Sequence, residues 1–81
     1  MRLPRDLSGT DLSKALARLG YAVTRQVGSH MRLTRVAGQT EHHLTTPRHK
    51  PLKIGTLNSI LKDVAEQTGL SRRELLHRLF G

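Results

Sequence analysis

The spacing of the apolar residues changes twice along this chain, and these changes restrict the possible folds more than any other feature. Apolar residues first recur at helical spacing, at Leu12, Ala15, Leu16 and Leu19. From Tyr21 apolar and polar residues alternate with a period of two, as in a half-buried strand. Helical spacing then returns at Leu57, Ile60, Leu61 and Val64, and again at Leu75, Leu76, Leu79 and Phe80. The pattern predicts one helix, a stretch of strands and two further helices, the first of these opening at Gly55-Thr56 and closing at Gly69.

Residues that cap helices stand at the ends of the helical segments. Ser8 followed by Asp11 resembles a capping box, in which two side chains three residues apart bind each other's backbone N–H groups. Gly20 follows the first helix as a C-cap. Ser71 and Glu74 form a regular S-x-x-E capping box for the last helix. These local signals agree with the segments that the apolar spacing defines.

Glycines divide the alternating segment into three strands. Alternation begins at Tyr21, resumes after Gly28, and is interrupted again at Ala37-Gly38-Gln39 before a third strand over Glu41 to Thr46. Gly28 suits a hairpin turn because glycine adopts positive φ without steric cost. We therefore expect an α+β fold with a three-stranded antiparallel sheet and helices on one face. A chain of 81 residues is short enough to form a single domain over residues 1–81.

The alternation also predicts which side chains point away from the helices. We expect one face of the sheet to be buried through Tyr21, Val23, Met31, Leu33 and Leu44. The open face should then carry Thr24, His30, Arg32, Thr34, His43 and Thr45. His42, on the buried parity, is expected to be partly covered. His30 should lie on the open face at the end formed by the hairpin turn.

The charge of the chain favours a polyanionic partner. Fourteen Lys and Arg against six Asp and Glu give a formal charge of +8, so nucleic acid or an acidic protein is expected. Residues 25–53 contain one acid, Glu41, together with Arg25, Arg32, Arg35, Arg48, Lys50 and Lys53. Two aromatic residues, Tyr21 and Phe80, are too few for recognition by base stacking on aromatic rings, so phosphate contacts should dominate.

His30 is the best candidate for a catalytic residue. It follows the Gly28-Ser29 turn, and an imidazole titrates near neutral pH, where it can act as a general acid or base. RNA supplies its own nucleophile, the 2′-hydroxyl, so one imidazole and a few cations suffice to cleave it, whereas DNA lacks this group. An ordinary exposed strand histidine is the alternative interpretation.

Several residues near His30 in sequence could hold RNA. Arg25, Arg32 and Lys53 are the candidates for binding the phosphate at the cleavage site. The loop between Pro47 and Pro51 adds Arg48, His49 and Lys50 as further RNA-binding residues. Ser29 could bind a phosphate oxygen or only satisfy the turn.

The five histidines do not favour a metal site. Adjacent strand residues point to opposite faces, so His42 and His43 cannot join one site. His30 and His43 could be neighbours across the sheet, but no carboxylate is expected beside them. We therefore expect no metal and no small-molecule cofactor. The absence of cysteine also excludes a thiolate site, and no apolar run is long enough for a membrane span, so a cytoplasmic protein is expected.

Two non-catalytic functions remain open at this stage. Residues 63–79 are compatible with a helix-turn-helix, in which Arg72 and Arg73 would contact the major groove of DNA. The open face could also bind double-stranded RNA through its shape without cleaving it. DNA binding would identify the first alternative, and tight RNA binding without cleavage the second.

Four motifs give the chain a resemblance to the HicA toxin family. They are Leu19-Gly20-Tyr21, the RQ-x-GSH hairpin from Arg25 to His30, the segment around Pro47 and His49, and Lys53-x-Gly-Thr-Leu57. The resemblance implies a double-stranded-RNA-binding-domain-like α-β-β-β-α fold, to which this chain adds a C-terminal helix. It also implies an mRNA interferase, that is, an endoribonuclease toxin, neutralised by a HicB-like antitoxin. The catalytic histidine of the family corresponds to His30.

Overall fold

The computed structural model describes residues 3–81, which form three strands and three helices in the predicted order. The elements are α1 (Gly9–Leu16), β1 (Tyr21–Val27), β2 (His30–Ala37), β3 (Thr40–Pro47), α2 (Ile54–Thr68) and α3 (Arg72–Phe80). A short 3-10 turn, Ala17–Leu19, extends α1 towards β1. The strands form one antiparallel sheet in the order β1-β2-β3. The predicted α+β architecture is confirmed.

Both hairpins turn through a glycine with positive φ. Val27 pairs with His30, which leaves Gly28 and Ser29 as a two-residue turn, and Gly28 has φ of +58°. The second turn has the same design, with Gly38 at φ of +60°. Two-residue turns of this kind match the twist of paired strands and fix their register. Gly28 therefore determines that the second strand begins at His30.

One apolar core joins one face of the sheet to all three helices. The buried cluster consists of Leu12, Ala15, Leu16, Tyr21, Leu33, Leu44, Leu57, Ile60, Leu61, Val64, Leu75, Leu76 and Leu79. Met31 is also buried, as predicted. Val23 pairs with Leu33 and so shares its face, but it is 47% exposed because it lies on an edge strand outside the core cluster. The sequence therefore predicted correctly that Val23 points to the helix side of the sheet, but the prediction that it is buried was wrong.

The local geometry confirms both predicted capping boxes. The Ser8 hydroxyl accepts from the backbone N–H of Asp11, and the Asp11 carboxylate accepts from that of Ser8. The hydrogen bond from the Ser8 N–H to the carboxylate is the main cause of the lowered pKa of Asp11. Ser71 and Glu74 repeat the arrangement at α3. The second helix begins at Ile54, one residue earlier than predicted.

The loop between β3 and α2 is anchored at both ends by backbone hydrogen bonds. The N–H of Arg48 donates to the carbonyl of Ser29 at 2.7 Å, and the carbonyl of Arg48 accepts from the N–H of Thr10 at 3.0 Å. At the other end the N–H of Leu52 donates to the carbonyl of Leu7 at 2.7 Å. These bonds hold the basic loop against the His30 hairpin and the start of α1.

A close approach of two backbones supports this arrangement. Gly9, the first residue of α1, lies so near the end of β3 that a Cβ there would overlap the carbonyl oxygen of Pro47. Glycine is therefore required at this position for contact and not for its φ angle. Within residues 3–81, none of the helices has the length and apolar character needed to cross a membrane.

Candidate active site

The open face of the sheet is organised in rows of side chains across the three strands. Residues paired across an antiparallel sheet point to the same side, so each row follows from the register. Starting at the hairpin turn, the rows are Val27–His30–Pro47, then Arg25–Arg32–Thr45, then Ala22–Thr34–His43. His30 thus lies on the open face beside the turn, as predicted.

A β-bulge in β1 places Arg25 on the open face. The register shifts between Val23 and Arg25, which pair with Leu33 and Arg32, so Thr24 is an extra residue in β1. Unbroken alternation from Tyr21 would have put Arg25 on the helix side of the sheet. The bulge instead sets Arg25 directly opposite Arg32, in the row next to His30. The alternation in the sequence did not reveal this shift, since no glycine or proline marks it.

The two arginines are not neutralised by nearby acids. In the part of the chain that the structure describes, the carboxylates within 4 Å of a basic side chain lie beside histidines, Asp63 beside His42 and Glu41 beside His43. Arg25 and Arg32 are exposed and face each other across the strands. Like charges opposite each other destabilise a sheet, and an anion bound between them would relieve the repulsion. This geometry favours a bound anion.

His30 is exposed, and its ring makes no hydrogen bond among residues 3–81. The histidine rings that do make hydrogen bonds there are those of His42 and His43. It lines two surface depressions. One, of about 220 Å³, is also lined by Arg25, Val27, Met31, Arg32 and Thr45. The other, of about 410 Å³, is lined by Ser29, Pro47, Arg48, His49 and Lys50 as well as His30. The imidazole is therefore open to contact by a ligand that spans both depressions.

The predicted RNA-binding residues thus divide into two groups and one outlier. Arg25 and Arg32 lie with His30 on one side, and the loop residues lie with it on the other. Lys53 is the outlier, because it occupies the position just before α2 and lines neither depression. Ser29 lines the second depression, and its carbonyl holds the loop by accepting the Arg48 N–H.

His43 lies on the same face but is held by its neighbours. Its Nδ1 is 2.8 Å from the hydroxyl of Thr34, and its Nε2 is 3.3 Å from the Glu41 carboxylate. The Thr34 hydroxyl also lies 2.8 Å from that of Thr24. These contacts leave Thr34 only 9% exposed, which corrects the prediction that it faces solvent freely.

The register separates His43 from His30. His43 pairs with Thr34, four residues along β2 from His30, which corresponds to roughly 13 Å at the usual rise per residue. The two histidines are therefore not the cross-sheet neighbours that a shared metal site would need. Among residues 3–81 there is no group of three or more His, Cys, Asp or Glu arranged to hold a metal ion.

His42 belongs to the helix side of the sheet. Its Nδ1 lies 2.6 Å from the Tyr21 hydroxyl, and its Nε2 lies 3.6 Å from the Asp63 carboxylate on α2. Burial is the main cause of the raised pKa of Tyr21, which Arg35 partly offsets. The prediction of a partly covered His42 is confirmed. The group joins the sheet to α2 and lies on the face away from His30.

The geometry of α3 gives no support to the DNA-binding alternative. Leu75, Leu76 and Leu79 are buried in the core that joins the sheet to the helices. Arg72 donates a hydrogen bond to the side chain of Asn58 on α2 at 2.7 Å, so one of the two proposed base-reading arginines is held against the protein. The unpaired arginines opposite each other lie in the sheet and not on α3.

The fold and this site define a small basic α+β domain with a histidine exposed on the open face of its sheet. Comparison with protein families shows which family this is. A family model described as the HicA toxin of bacterial toxin–antitoxin systems matches residues 9–70, or 62 of the 81 residues. The chain belongs to the HicA toxin family. Searches of curated proteins and of solved structures gave no match. The matched region begins at Gly9 and ends before α3.

Proposed function

We propose that this protein is a metal-independent endoribonuclease that cleaves mRNA, with His30 as its acid–base residue. The observation that carries the proposal is the position of His30, whose ring has no hydrogen-bond partner among residues 3–81 and lies between two depressions lined by cations. Membership of the HicA toxin family supports it, since toxins of this kind act on RNA. Cleavage of mRNA would take place in the cytoplasm.

The reaction requires one proton to be taken up and one to be delivered. His30 accepts the proton of a 2′-hydroxyl, whose oxygen attacks the adjacent phosphorus. The bond from phosphorus to the 5′-oxygen breaks, and the protonated imidazole or a water molecule returns a proton to that oxygen. The products are a 2′,3′-cyclic phosphate and a 5′-hydroxyl. DNA has no 2′-hydroxyl and is not a substrate for this reaction.

Arg25 and Arg32 would stabilise the charge that develops on the phosphate. Their guanidinium groups would donate hydrogen bonds to the non-bridging oxygens of the phosphate and place two positive charges beside it. The cost of holding them opposite each other is offset when the phosphate binds. The loop residues Arg48, His49 and Lys50 would hold the RNA on the other side of His30, and Ser29 could add one hydroxyl.

The toxin–antitoxin context implies a protein inhibitor, and we propose that it is a HicB-like antitoxin. A chain with a formal charge of +8 favours an acidic partner surface. If the antitoxin covers the open face, it displaces RNA and blocks His30 in the same event. Complex formation and loss of cleavage would then occur at the same antitoxin concentration.

A cleavage assay in EDTA tests the proposed activity. The substrates are a labelled RNA, the same RNA with a single 2′-deoxy nucleotide at the main cleavage site, and an all-DNA strand. We expect cleavage of the RNA, with cyclic phosphate ends, and loss of cleavage at the 2′-deoxy position. Cleavage of the DNA, or a requirement for a divalent metal, would contradict the mechanism. Tight RNA binding without cleavage would instead favour a non-catalytic RNA-binding module.

A further inference from the structure

We propose that the depression of about 220 Å³ beside His30 is a subsite for one unpaired nucleobase of the RNA. The inference rests on the proposed function, because it assigns the substrate a conformation at the same site. The net charge of the chain predicts contacts to phosphates only. The subsite would add a contact to a base. It also requires the RNA to be single-stranded at the nucleotide concerned.

The size of the depression fits one ring system. Pockets for drug-sized ligands usually have volumes of about 300 to 1,000 Å³, and this depression is smaller. Its position is also suitable, because His30 and the Arg25–Arg32 row both line it. A nucleotide whose phosphate lies between the arginines and His30 would have its base within reach of this depression.

The depression offers an apolar surface as well as charge. Val27 is directly opposite His30 in the register, and its side chain is 62% exposed. Covering this side chain with the face of a base would remove apolar surface from water and stabilise the complex. Thr45, in the same row as Arg32, adds a hydroxyl that can donate to or accept from a base edge.

The arginines provide the flat surfaces that aromatic residues supply in many RNA-binding proteins. Tyr21 is 2% exposed, and its hydroxyl lies against His42, so it cannot stack on RNA. Phe80 packs against the core from α3. Bases also stack on guanidinium planes, and both Arg25 and Arg32 are exposed beside Val27. The chain can therefore bind a base without an aromatic platform.

A base that enters this depression cannot remain stacked and paired in a duplex. Proteins that recognise double-stranded RNA by shape contact its backbone and 2′-hydroxyls and leave the bases stacked. A base subsite next to the catalytic histidine therefore favours single-stranded RNA, or loops, over continuous duplex. The fold alone would not distinguish single-stranded from double-stranded RNA.

The chain offers a matched control for Val27. Val36 is 63% exposed and, like His30 and Arg32, lies at an even position of β2 on the open face. It is six residues along β2 from His30, or roughly 20 Å away, and it pairs with Glu41. Val27→Ala and Val36→Ala thus remove the same atoms from equally exposed sites at opposite ends of one face.

The test measures binding without cleavage. The two ligands are a six-nucleotide 2′-O-methyl RNA, which lacks the nucleophile, and an abasic strand with the same number of phosphates. Their affinities for the wild-type protein, Val27→Ala and Val36→Ala are compared by fluorescence anisotropy. We expect the RNA to bind about three- to tenfold more tightly than the abasic strand, as covering part of one valine side chain would give. The difference should persist in full in Val36→Ala and become smaller in Val27→Ala.

The outcomes distinguish this inference from the proposed activity. Equal affinities for the two ligands, absence of binding, or a difference as large in Val27→Ala as in the wild-type protein would overturn the base subsite. A protein that cleaves RNA in EDTA but binds both ligands equally would retain the proposed activity and lose the subsite. A protein that prefers the strand with bases through Val27 but never cleaves RNA would retain the subsite and lose the proposed activity.

Discussion

His30 and His43 lie on the same open face of the sheet, but only the His43 ring contacts other side chains. His43 is held between the Thr34 hydroxyl and the Glu41 carboxylate. His30 has no such contact and lies among exposed cations instead. Both residues belong to the basic stretch of the sequence, so the difference arises from the register of the strands and not from composition.

The two ends of the open face therefore differ in the contacts that their side chains make. At the far end, hydroxyls, an imidazole and a carboxylate satisfy one another, which suits a structural network. At the hairpin end, the side chains of Arg25, Arg32 and His30 have no hydrogen-bond or carboxylate partner among residues 3–81. Exposed cations next to a histidine that makes no contact with other side chains suit a site that a ligand completes.

The largest effect should come from removing the free imidazole. His30→Ala should lower the rate of RNA cleavage by about 10²–10⁴-fold, the usual contribution of a general acid or base. His43→Ala should change the rate by less than about threefold, since a residue outside the site contributes no proton transfer. Single-turnover cleavage of a labelled RNA gives both rates, and thermal unfolding shows whether each variant is folded. Equal losses in the two variants would remove the distinction between the two ends.

The next largest effect should come from disturbing the close approach of Gly9 to Pro47, which supports the hairpin end of the sheet. Gly9→Ala would force a Cβ against the Pro47 carbonyl, and Pro47 pairs with His30. Overpacking of this kind costs about 1–3 kcal/mol of unfolding free energy. Gly55→Ala is the control, because a Cβ there meets no atom within 4 Å. Chemical denaturation of the two variants should show a loss in stability for Gly9→Ala alone.

Removing one of the facing arginines should weaken RNA binding in a salt-dependent way. Arg32→Gln should reduce the slope of log affinity against log salt by about 0.7, the value for one phosphate contact on a single strand. Arg73→Gln, an exposed arginine near the start of α3, should leave the slope unchanged. Titrations of RNA at several salt concentrations measure the slope. A larger change for Arg73→Gln would move the nucleic-acid site to α3.

The smallest effect concerns the network at the far end. Thr34→Val removes the hydroxyl that contacts both Thr24 and His43. The unfolding free energy should fall by about 1 kcal/mol, the usual net value of a hydrogen bond, while RNA cleavage stays unchanged.

Thr45→Val, in the row beside His30, should have the opposite effect. It should leave stability intact and weaken RNA binding. Denaturation and cleavage assays on both variants complete the comparison.

Local sequence signals predicted most of the fold. The capping residues Ser8 and Ser71 and the glycines at the two turns act on their immediate neighbours, so their effects can be inferred without a structure. The alternation of apolar residues was sufficient to place His30 on the open face. These features, together with the motifs of the family, also led to the family that the comparison established.

Other features depend on contacts between distant parts of the chain and were missed. The bulge at Thr24 is a property of the pairing between β1 and β2, and its residue types do not differ from those of a regular strand. The need for glycine at Gly9 arises from Pro47, far away in sequence. Thr34 is covered by side chains from both neighbouring strands. The bulge and the cover of Thr34 depend on register, which a period of two does not specify once an extra residue intervenes.

The central claim is that RNA binds at the hairpin end of the open face, and the most direct test is to observe the histidine rings by NMR. The ring signals of all five histidines would be assigned from single variants and followed while a non-cleavable 2′-O-methyl RNA is added. The account predicts large shifts for His30 and His49, and little change for His42, His43 and His77. Large shifts at His43 or His77, with His30 unaffected, would contradict it.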